Sequence, residues 1–429
     1  MSGTTDGAGR SGPVRADFSG SPAGGSAWVD DLADELDRWL ADDDAALAAA
    51  YPGHPAERQP VHTVYIPADR FTTSTVADWG QQAREALAPY SSSELARVLD
   101  LPPDLVEELL PRVIAKLETE PIEDLRVDFE DGYGSRPDDR EDADVLAAAR
   151  ALATGERPPY FGIRFKSFEA PTRRRGLRTL ALFVDGVGAQ EGLNLTLPKV
   201  TSVAQVEAMV LACERLEKQY GLPPLRFEIQ VETPQSILGA DGTALVARMI
   251  QAAQGRCTGL HYGTYDYSAS CGIAAAYQSM EHAAADHAKA VMQAAAANTG
   301  VFVSDGSTNV LPVGSRSDVE AAWALHTRLV RRSLERGFYQ GWDLHPAQLP
   351  TRYLATYAFY RSGLPAAASR LRAYVDGAAS GYLDEPATAA ALAGFVLRGT
   401  ECGAVSSDEV GSLIGVDLDH LAVLARRYR

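Results

Sequence analysis

The chain has 429 residues, of which 46% are hydrophobic and 23% are charged, so it can bury a large core and is not predominantly disordered. Its 57 acidic and 40 basic residues give a formal net charge of −17, which argues against nucleic acid or an anionic membrane surface as a partner. No apolar run approaches the roughly 20 residues that cross a bilayer, and no signal-peptide pattern opens the sequence. We therefore expect a cytoplasmic protein.

The two ends of the chain differ in composition from its middle. Residues 1–27 are rich in Gly, Ser and Ala and predict a disordered leader. Residues 28–60 form a predicted N-terminal helical segment, because acidic and apolar residues recur at helical spacing up to Ala50. Residues 361–429 predict a C-terminal helical extension. A helix-turn-helix element is the alternative there, but the net charge favours a packing or oligomerisation role.

Between these ends, over residues 61–360, short β-prone runs alternate with longer helical runs, a pattern typical of repeated βα units. The eight predicted strands are 61–67, 125–129, 160–165, 193–198, 226–231, 258–263, 300–305 and 338–344. Eight strands with helical crossovers predict an α/β fold of the (β/α)8 TIM-barrel class, with helical additions at both ends. A doubly wound open sheet is the alternative, but no GxGxxG follows the first strand to favour it.

Polar side chains end several of the predicted strands, where the reactive groups of a TIM barrel lie. The second strand ends in DFEDG with Glu130 and Asp131, and the third carries Arg164. The fifth strand ends in VETPQ with Glu232, and the sixth runs into GTYDYS with Asp266. Carboxylates with one or two cations at one rim predict a site for Mg²⁺ (or Mn²⁺), which prefers oxygen ligands.

Seven motifs of the chain occur in the order found in the HpcH/HpaI aldolase and citrate lyase β-subunit family. They are HTVYIPAD, DFEDG, the arginine of GIRF, LPKV, VETPQSILGA, GTYDYSAS and GFYQGWDLHPAQL. Over roughly Val61 to Tyr360 the chain resembles this family of phosphoenolpyruvate/pyruvate-type TIM barrels. The segment GTYDYS is also similar to the metal-binding segment of malate synthases.

The resemblance implies a role for each matching residue. Glu232 and Asp266, which are 34 residues apart, match the two metal-binding carboxylates. Arg164 matches the arginine that steadies the substrate carboxylate or the enolate oxygen, although an ion pair with Asp131 is the alternative. Asp128, Glu130 and Asp131 match the second-strand acidic residues that order the rim and its metal-bound water. We therefore expect Arg164, Asp131 and Glu130 to be catalytic.

Lys199 and His345 are expected to bind substrate together with Arg164. A Schiff-base role for Lys199 would require a lowered pKa, which the neighbouring carboxylates would oppose. His345 is either a general base or a structural histidine of the rim. The family's lysine before the IHP segment is replaced here by Gln340 and Gly341, which weakens the case for a coenzyme A substrate.

These residues predict a metal-dependent carbon–carbon lyase or aldolase that acts through the enolate of a 2-oxo acid or acyl thioester. Phosphoenolpyruvate-type phosphoryl transfer or thioester hydrolysis on the same barrel is the second hypothesis. A non-catalytic scaffold or ligand-sensing barrel is the third. The expected partner is a small carboxylate or acyl-thioester molecule, and the resemblance implies a homo-oligomer.

Overall fold

The computed structural model describes residues 27–55, 57–188, 190–377, 385–425 and 427–428. The predicted leader lies outside these residues apart from Ala27. The chain divides into two compact units, Met1–Ala50 and Tyr51–Arg429. The described part of the first unit is one helix, α1 (Ala27–Ala50), whose side chains are exposed along almost its whole length. The acidic helix predicted for this segment is therefore confirmed, while the predicted domain boundaries stay predictions.

Eight parallel strands form the barrel of the second unit. They are β1 (His62–Pro67), β2 (Asp124–Asp128), β3 (Tyr160–Arg164), β4 (Leu193–Leu197), β5 (Phe227–Val231), β6 (Cys257–Tyr262), β7 (Phe302–Ser304) and β8 (Gly341–Asp343). Each strand pairs with the next along the chain up to β7, and β1 also pairs with β8. A bridge between Ser304 and Gln340 joins β7 to the start of β8. The predicted (β/α)8 class is confirmed, and all eight predicted strands overlap observed ones.

Helices follow the strands and cover the outside of the barrel. They are α2 (Thr75–Leu87), α3 (Ser92–Leu99), α4 (Pro103–Thr119), α5 (Asp138–Thr154), α6 (Arg173–Val187), α7 (Val203–Tyr220), α8 (Pro234–Ile237), α9 (Leu245–Ala252), α10 (Thr264–Ser270), α11 (Ala283–Ala296) and α12 (Arg316–Glu335). Local capping sets their ends. Helix α12 begins after Ser315, whose hydroxyl accepts from the Asp318 amide while the Asp318 carboxylate accepts from the Ser315 amide.

Four helices complete the second unit after β8: α13 (Leu349–Val375), α14 (Pro386–Glu401), α15 (Ser407–Ile414) and α16 (Leu418–Leu424). Helix α13 is buried along most of its length and packs against α4, α12 and α14, while α15 packs on α13 and α16 on α14. These contacts support the packing role predicted for the tail. None of the described helices is long and apolar enough to cross a membrane.

A buried ion-pair network holds this helical layer to the seam of the barrel. The carboxylate of Asp343, the last residue of β8, lies 2.9 Å from His62 Nδ1 and 3.1 Å from His326 Nε2, and it accepts from Arg352 Nη2 at 2.9 Å. These partners come from β1, α12 and α13. Burial opposes the charge of Asp343, but Arg352 and the two histidines hold the pKa of this carboxyl well below its ordinary value. We interpret this network as structural.

Candidate active site

The predicted site residues lie at the carboxyl ends of the barrel strands. Asp131 follows β2, Glu232 comes directly after β5, and Asp266 is in the first turn of α10, just after β6. Because parallel strands end at the same rim, residues far apart in sequence meet there. One carboxylate oxygen from each of these three residues lies within 4.8 Å of the others. We call Asp131, Glu232 and Asp266 the carboxylate trio.

Glu232 forms the buried floor of the carboxylate trio. Its side chain is almost inaccessible to solvent, and its Oε1 accepts a hydrogen bond of 2.7 Å from the Lys199 amide. Burial raises the pKa of this carboxyl to about 8, the charges of Glu130 and Asp266 add to the effect, and Lys199 and Arg164 oppose it. Negative charge at this point is therefore undercompensated, which is the condition a bound cation would relieve.

The side chain of Lys199 lies among the carboxylates. Its Nζ is 3.1 Å from Glu130 Oε1, 2.9 Å from Asp131 Oδ2 and 3.2 Å from Asp266 Oδ2. Burial alone would lower the pKa of this ammonium, but Glu232, Glu130 and Asp131 together raise it. An amine held protonated in this way is unsuited to form a Schiff base, which agrees with the argument made from the sequence.

Arg164, the last residue of β3, is oriented by a buried carboxylate. Its Nε and Nη2 each donate to Asp128 at 2.7 Å, and its guanidinium stacks on the Tyr65 ring at 4.6 Å. The remaining nitrogen, Nη1, lies 3.7 Å from Glu130 Oε2. The ion-pair partner is therefore Asp128, and the alternative pairing with Asp131 is wrong. This fixed fork leaves one donor facing the carboxylates.

Glu130 differs from its neighbour Asp131 in burial and in protonation. Burial, together with the nearby Asp131, raises the pKa of Glu130 to about 7 against the opposing charges of Arg164 and Lys199. Asp131 is half exposed. Burial of the rest of its side chain raises its pKa, but hydrogen bonds with the side chains of Glu130 and Lys199 outweigh this effect and lower the pKa. Adjacent residues thus supply one carboxylate that can carry a proton near neutral pH and one that stays ionised.

The hydrogen bonds of His345 and Gln340 are made to residues outside this cluster. His345 Nδ1 accepts a hydrogen bond of 3.1 Å from the Ala347 amide and caps the 3₁₀ helix Pro346–Gln348. This contact favours the structural interpretation of His345. Gln340 precedes β8 at the opposite end of the barrel, where its Nε2 donates to Thr63 Oγ1 at 2.9 Å. Gly341, which stands where the family has its lysine, is the first residue of β8 and thus also lies at the amino end of this strand.

A residue that the sequence analysis missed is Gln230, two positions before Glu232 on β5. Alternate residues of a strand face the same side, so Gln230 shares the barrel interior with Glu228 and Glu232. Glu228 pairs below it with Arg126 at 2.8 Å and His261 at 2.9 Å. The buried Gln230 amide has no hydrogen-bond partner for either of its polar atoms among the described residues. The signal that could have found it is the alternation of apolar and polar residues along this strand, in which Glu228, Gln230 and Glu232 are the polar members.

This barrel, with carboxylates and a buried arginine at its carboxyl rim, has the citrate lyase type of fold. It superposes on a citrate lyase from Burkholderia xenovorans LB400 with a TM-score of 0.59 at 18% identity, covering 84% of this chain and 97% of that one. The chain belongs to the family described as "Domain of unknown function (DUF6986)", whose model matches residues 40–428. None of the curated proteins compared with the chain matches its sequence.

Two further solved structures are similar at lower scores. Protein CitE from Mycobacterium tuberculosis, in complex with magnesium, acetoacetate and coenzyme A, has a TM-score of 0.47 at 18% identity, covering 82% of this chain and 98% of that one. A Haloferax volcanii malate synthase, in a magnesium/glyoxylate complex, has a TM-score of 0.45 at 13% identity, covering 69% of this chain and 75% of that one. The similarity to the citrate lyase of Burkholderia xenovorans LB400 confirms the resemblance predicted from the seven motifs at the level of the fold.

Proposed function

We propose that this protein is an enzyme, a metal-dependent carbon–carbon lyase or aldolase that acts through an enolate. The observation that carries the proposal is the carboxylate trio, Asp131, Glu232 and Asp266, which lies at the catalytic end of the barrel beside Arg164 and Glu130. The citrate lyase that shares this fold is a lyase by name, which supports the same choice.

The carboxylate trio fits a hard divalent cation, Mg²⁺ or Mn²⁺. Its oxygens are close enough to share one ion, and carboxylates are the ligands that such ions prefer. Two members, Asp131 and Asp266, are about half exposed, so water and substrate oxygens can reach the ion from that side. A cation bound there would stabilise the negative charge that develops on the enolate oxygen.

The chain's own residues supply the remaining steps. Arg164 Nη1 donates to the carboxylate or carbonyl oxygen of the substrate, and Asp128 keeps this donor in place so that no reorientation is needed as charge develops. Glu130 is the carboxylate of the cluster outside the trio, so we assign proton transfer to it. The substrate hydroxyl group gives its proton to Glu130, and its oxygen becomes the carbonyl of one product as the carbon–carbon bond breaks. The electron pair of that bond becomes the enolate of the other product, and Glu130 returns the proton to the enolate carbon.

The other sequence predictions join this proposal. The substrate is a 2-oxo acid or an acyl thioester, and Lys199 binds it at the rim together with Arg164. His345 binds it as well, through Nε2, because the cap of the 3₁₀ helix uses only Nδ1. The protein acts in the cytoplasm as a homo-oligomer, without a nucleic-acid or membrane partner.

Turnover is expected to require a divalent metal. Treatment with EDTA should abolish turnover, because the substrate oxygen then loses its main counter-charge, and added Mg²⁺ or Mn²⁺ should restore it. The assay follows cleavage of oxaloacetate and malyl-CoA, and condensation of pyruvate with aldehydes. Full activity of the EDTA-treated protein on any of these substrates would contradict the proposal.

Gln230→Met is expected to separate a substrate contact from a structural role. The substitution replaces an amide whose two buried polar atoms have no partner among the described residues by an apolar side chain of similar size. The free energy of unfolding should therefore stay unchanged or rise by about 1 kcal/mol. If the amide contacts substrate from below the trio, kcat/KM should fall by roughly tenfold, about 1.4 kcal/mol. Urea unfolding and steady-state kinetics measure the two effects. Unchanged kinetics in a protein of unchanged stability would remove Gln230 from the site.

A further inference from the structure

Lys199 contacts every carboxylate of the trio. Its ammonium lies within 3.2 Å of Asp131 and Asp266, and its amide donates to Glu232. An ion held by the trio would therefore use the same carboxylates that the ammonium uses. Two cations that share these carboxylates repel each other strongly, because the site is partly buried.

The backbone of Lys199 is fixed by hydrogen bonds, whereas its side chain is held by ion pairs at the partly exposed rim. Lys199 has a positive φ of 49°, a conformation that residues with a side chain rarely adopt. It is retained by the hydrogen bond to Glu232 and by a second one at 2.6 Å, from Thr233 Oγ1 to the carbonyl of the next residue, Val200. The ammonium, by contrast, ends a flexible four-carbon chain at the partly exposed rim.

We propose that Lys199 is a built-in competitor of the divalent cation, and that metal binding releases its ammonium to the carboxylate of the substrate. The inference rests on the proposed function. An ion held by the trio would occupy Asp131 and Asp266, so the ammonium would keep Glu130 as its partner and would have an N–H donor left for another ligand at the rim. A substrate carboxylate arriving there meets both Lys199 and Arg164 Nη1. The metal therefore binds before the substrate.

The test is Mn²⁺ binding to the chelator-treated full-length protein without substrate, followed by the electron paramagnetic resonance signal of free Mn²⁺. Lys199→Met should bind Mn²⁺ about tenfold more tightly than the wild type, because changes to residues that contact metal ligands alter metal affinity by about this factor. Lys199→Arg keeps the charge and should show no gain. Lys199→Met binding no more tightly than the wild type would overturn the competition.

Arg136→Met is the matched control. Arg136 is exposed on the same loop after β2 and pairs with Asp69 at 3.3 Å, so its removal deletes a positive charge without touching the cluster. We expect Mn²⁺ affinity to stay at the wild-type value, because an exposed charge is screened. An equal gain in Arg136→Met and Lys199→Met would mean that net charge alone acts, and would also overturn the proposal.

Two further readouts use the same proteins. Without metal, Lys199→Met should melt at a lower temperature than the wild type. Saturating Mn²⁺ should raise the melting temperature of the variant by more than it raises that of the wild type. Oxalate, a planar dicarboxylate probe, should bind the Mn²⁺-loaded Lys199→Met more weakly than the loaded wild type; equal binding would overturn the release step. If neither protein binds Mn²⁺, the proposed function fails as well. If the wild type binds Mn²⁺ and Lys199→Met binds it no more tightly, only the competition is overturned.

Discussion

Glu232→Gln is expected to weaken Mg²⁺ or Mn²⁺ binding by at least about a hundredfold and to remove turnover, while the fold survives. Changes beside a metal ligand already cost about 10- to 100-fold in affinity, so loss of an anionic ligand should cost no less. The amide keeps the shape of the side chain and can still accept the hydrogen bond from Lys199. Calorimetric titration with Mn²⁺ measures the affinity, and circular dichroism verifies the fold.

The same substitution has an expected effect on stability without metal. The pKa of Glu232 is about 8 in the folded protein, above the ordinary 4.5, so the folded state binds this proton more tightly than the unfolded state does. Wild-type stability should therefore fall as pH rises from about 4.5 to 8, and the variant should lack this contribution. Glu207→Gln, an exposed change on α7, is the control and should alter neither property. Wild-type Mn²⁺ affinity in Glu232→Gln would contradict the assignment.

Arg164→Lys is expected to lower kcat by about 10²- to 10³-fold, the usual cost of removing one donor to a developing oxyanion. The charge is kept, but an ammonium cannot hold Asp128 with two parallel hydrogen bonds and also offer a third donor to substrate. We expect stability to fall by about 2 kcal/mol, because one charge-assisted hydrogen bond is lost. Steady-state kinetics and urea unfolding measure the two effects separately.

Arg126→Lys is the matched control for Arg164→Lys. Arg126 is equally buried and pairs with Glu228, but it lies below the site in the barrel interior. We expect a comparable loss of stability with kcat largely retained. An Arg164→Lys protein that keeps kcat and changes only KM would mean that Arg164 binds substrate and transition state equally, and its assigned catalytic role would be wrong.

The strands could be predicted because apolar β-prone runs are local signals, whereas several of their ends could not. The predicted strand 300–305 shortens to Phe302–Ser304. Gly300 adopts a positive φ of 78°, and Asp305 turns outward to form a buried ion pair of 2.9 Å with Lys289 of α11. The end of the strand depends on a contact with the preceding helix, 16 residues earlier in the chain, which the β-prone run itself does not contain.

The approach of Glu232 and Asp266 followed from the rule that barrel strands end at one rim. The pairing of Arg164 with Asp128 was not predicted, because Asp128 is the last inward residue of β2 whereas Asp131 belongs to the loop beyond it. The position of Lys199 was not predicted either. It depends on a left-handed backbone that is stabilised by the hydrogen bond from the Lys199 amide to Glu232, just after β5, and neither is encoded in the local pattern LPKV.

Exchange of the methyl protons of pyruvate in D₂O, followed by proton NMR, tests the central claim most directly, because it requires enolisation but no second substrate. The proposal predicts that the methyl signal falls with protein and Mg²⁺ or Mn²⁺ present, and that it stays constant with EDTA or with Glu232→Gln. A parallel experiment with acetyl-CoA covers the thioester case. Exchange that persists undiminished in the EDTA-treated protein, or exchange of neither compound above the buffer rate with metal present, would contradict metal-assisted enolate chemistry at this site.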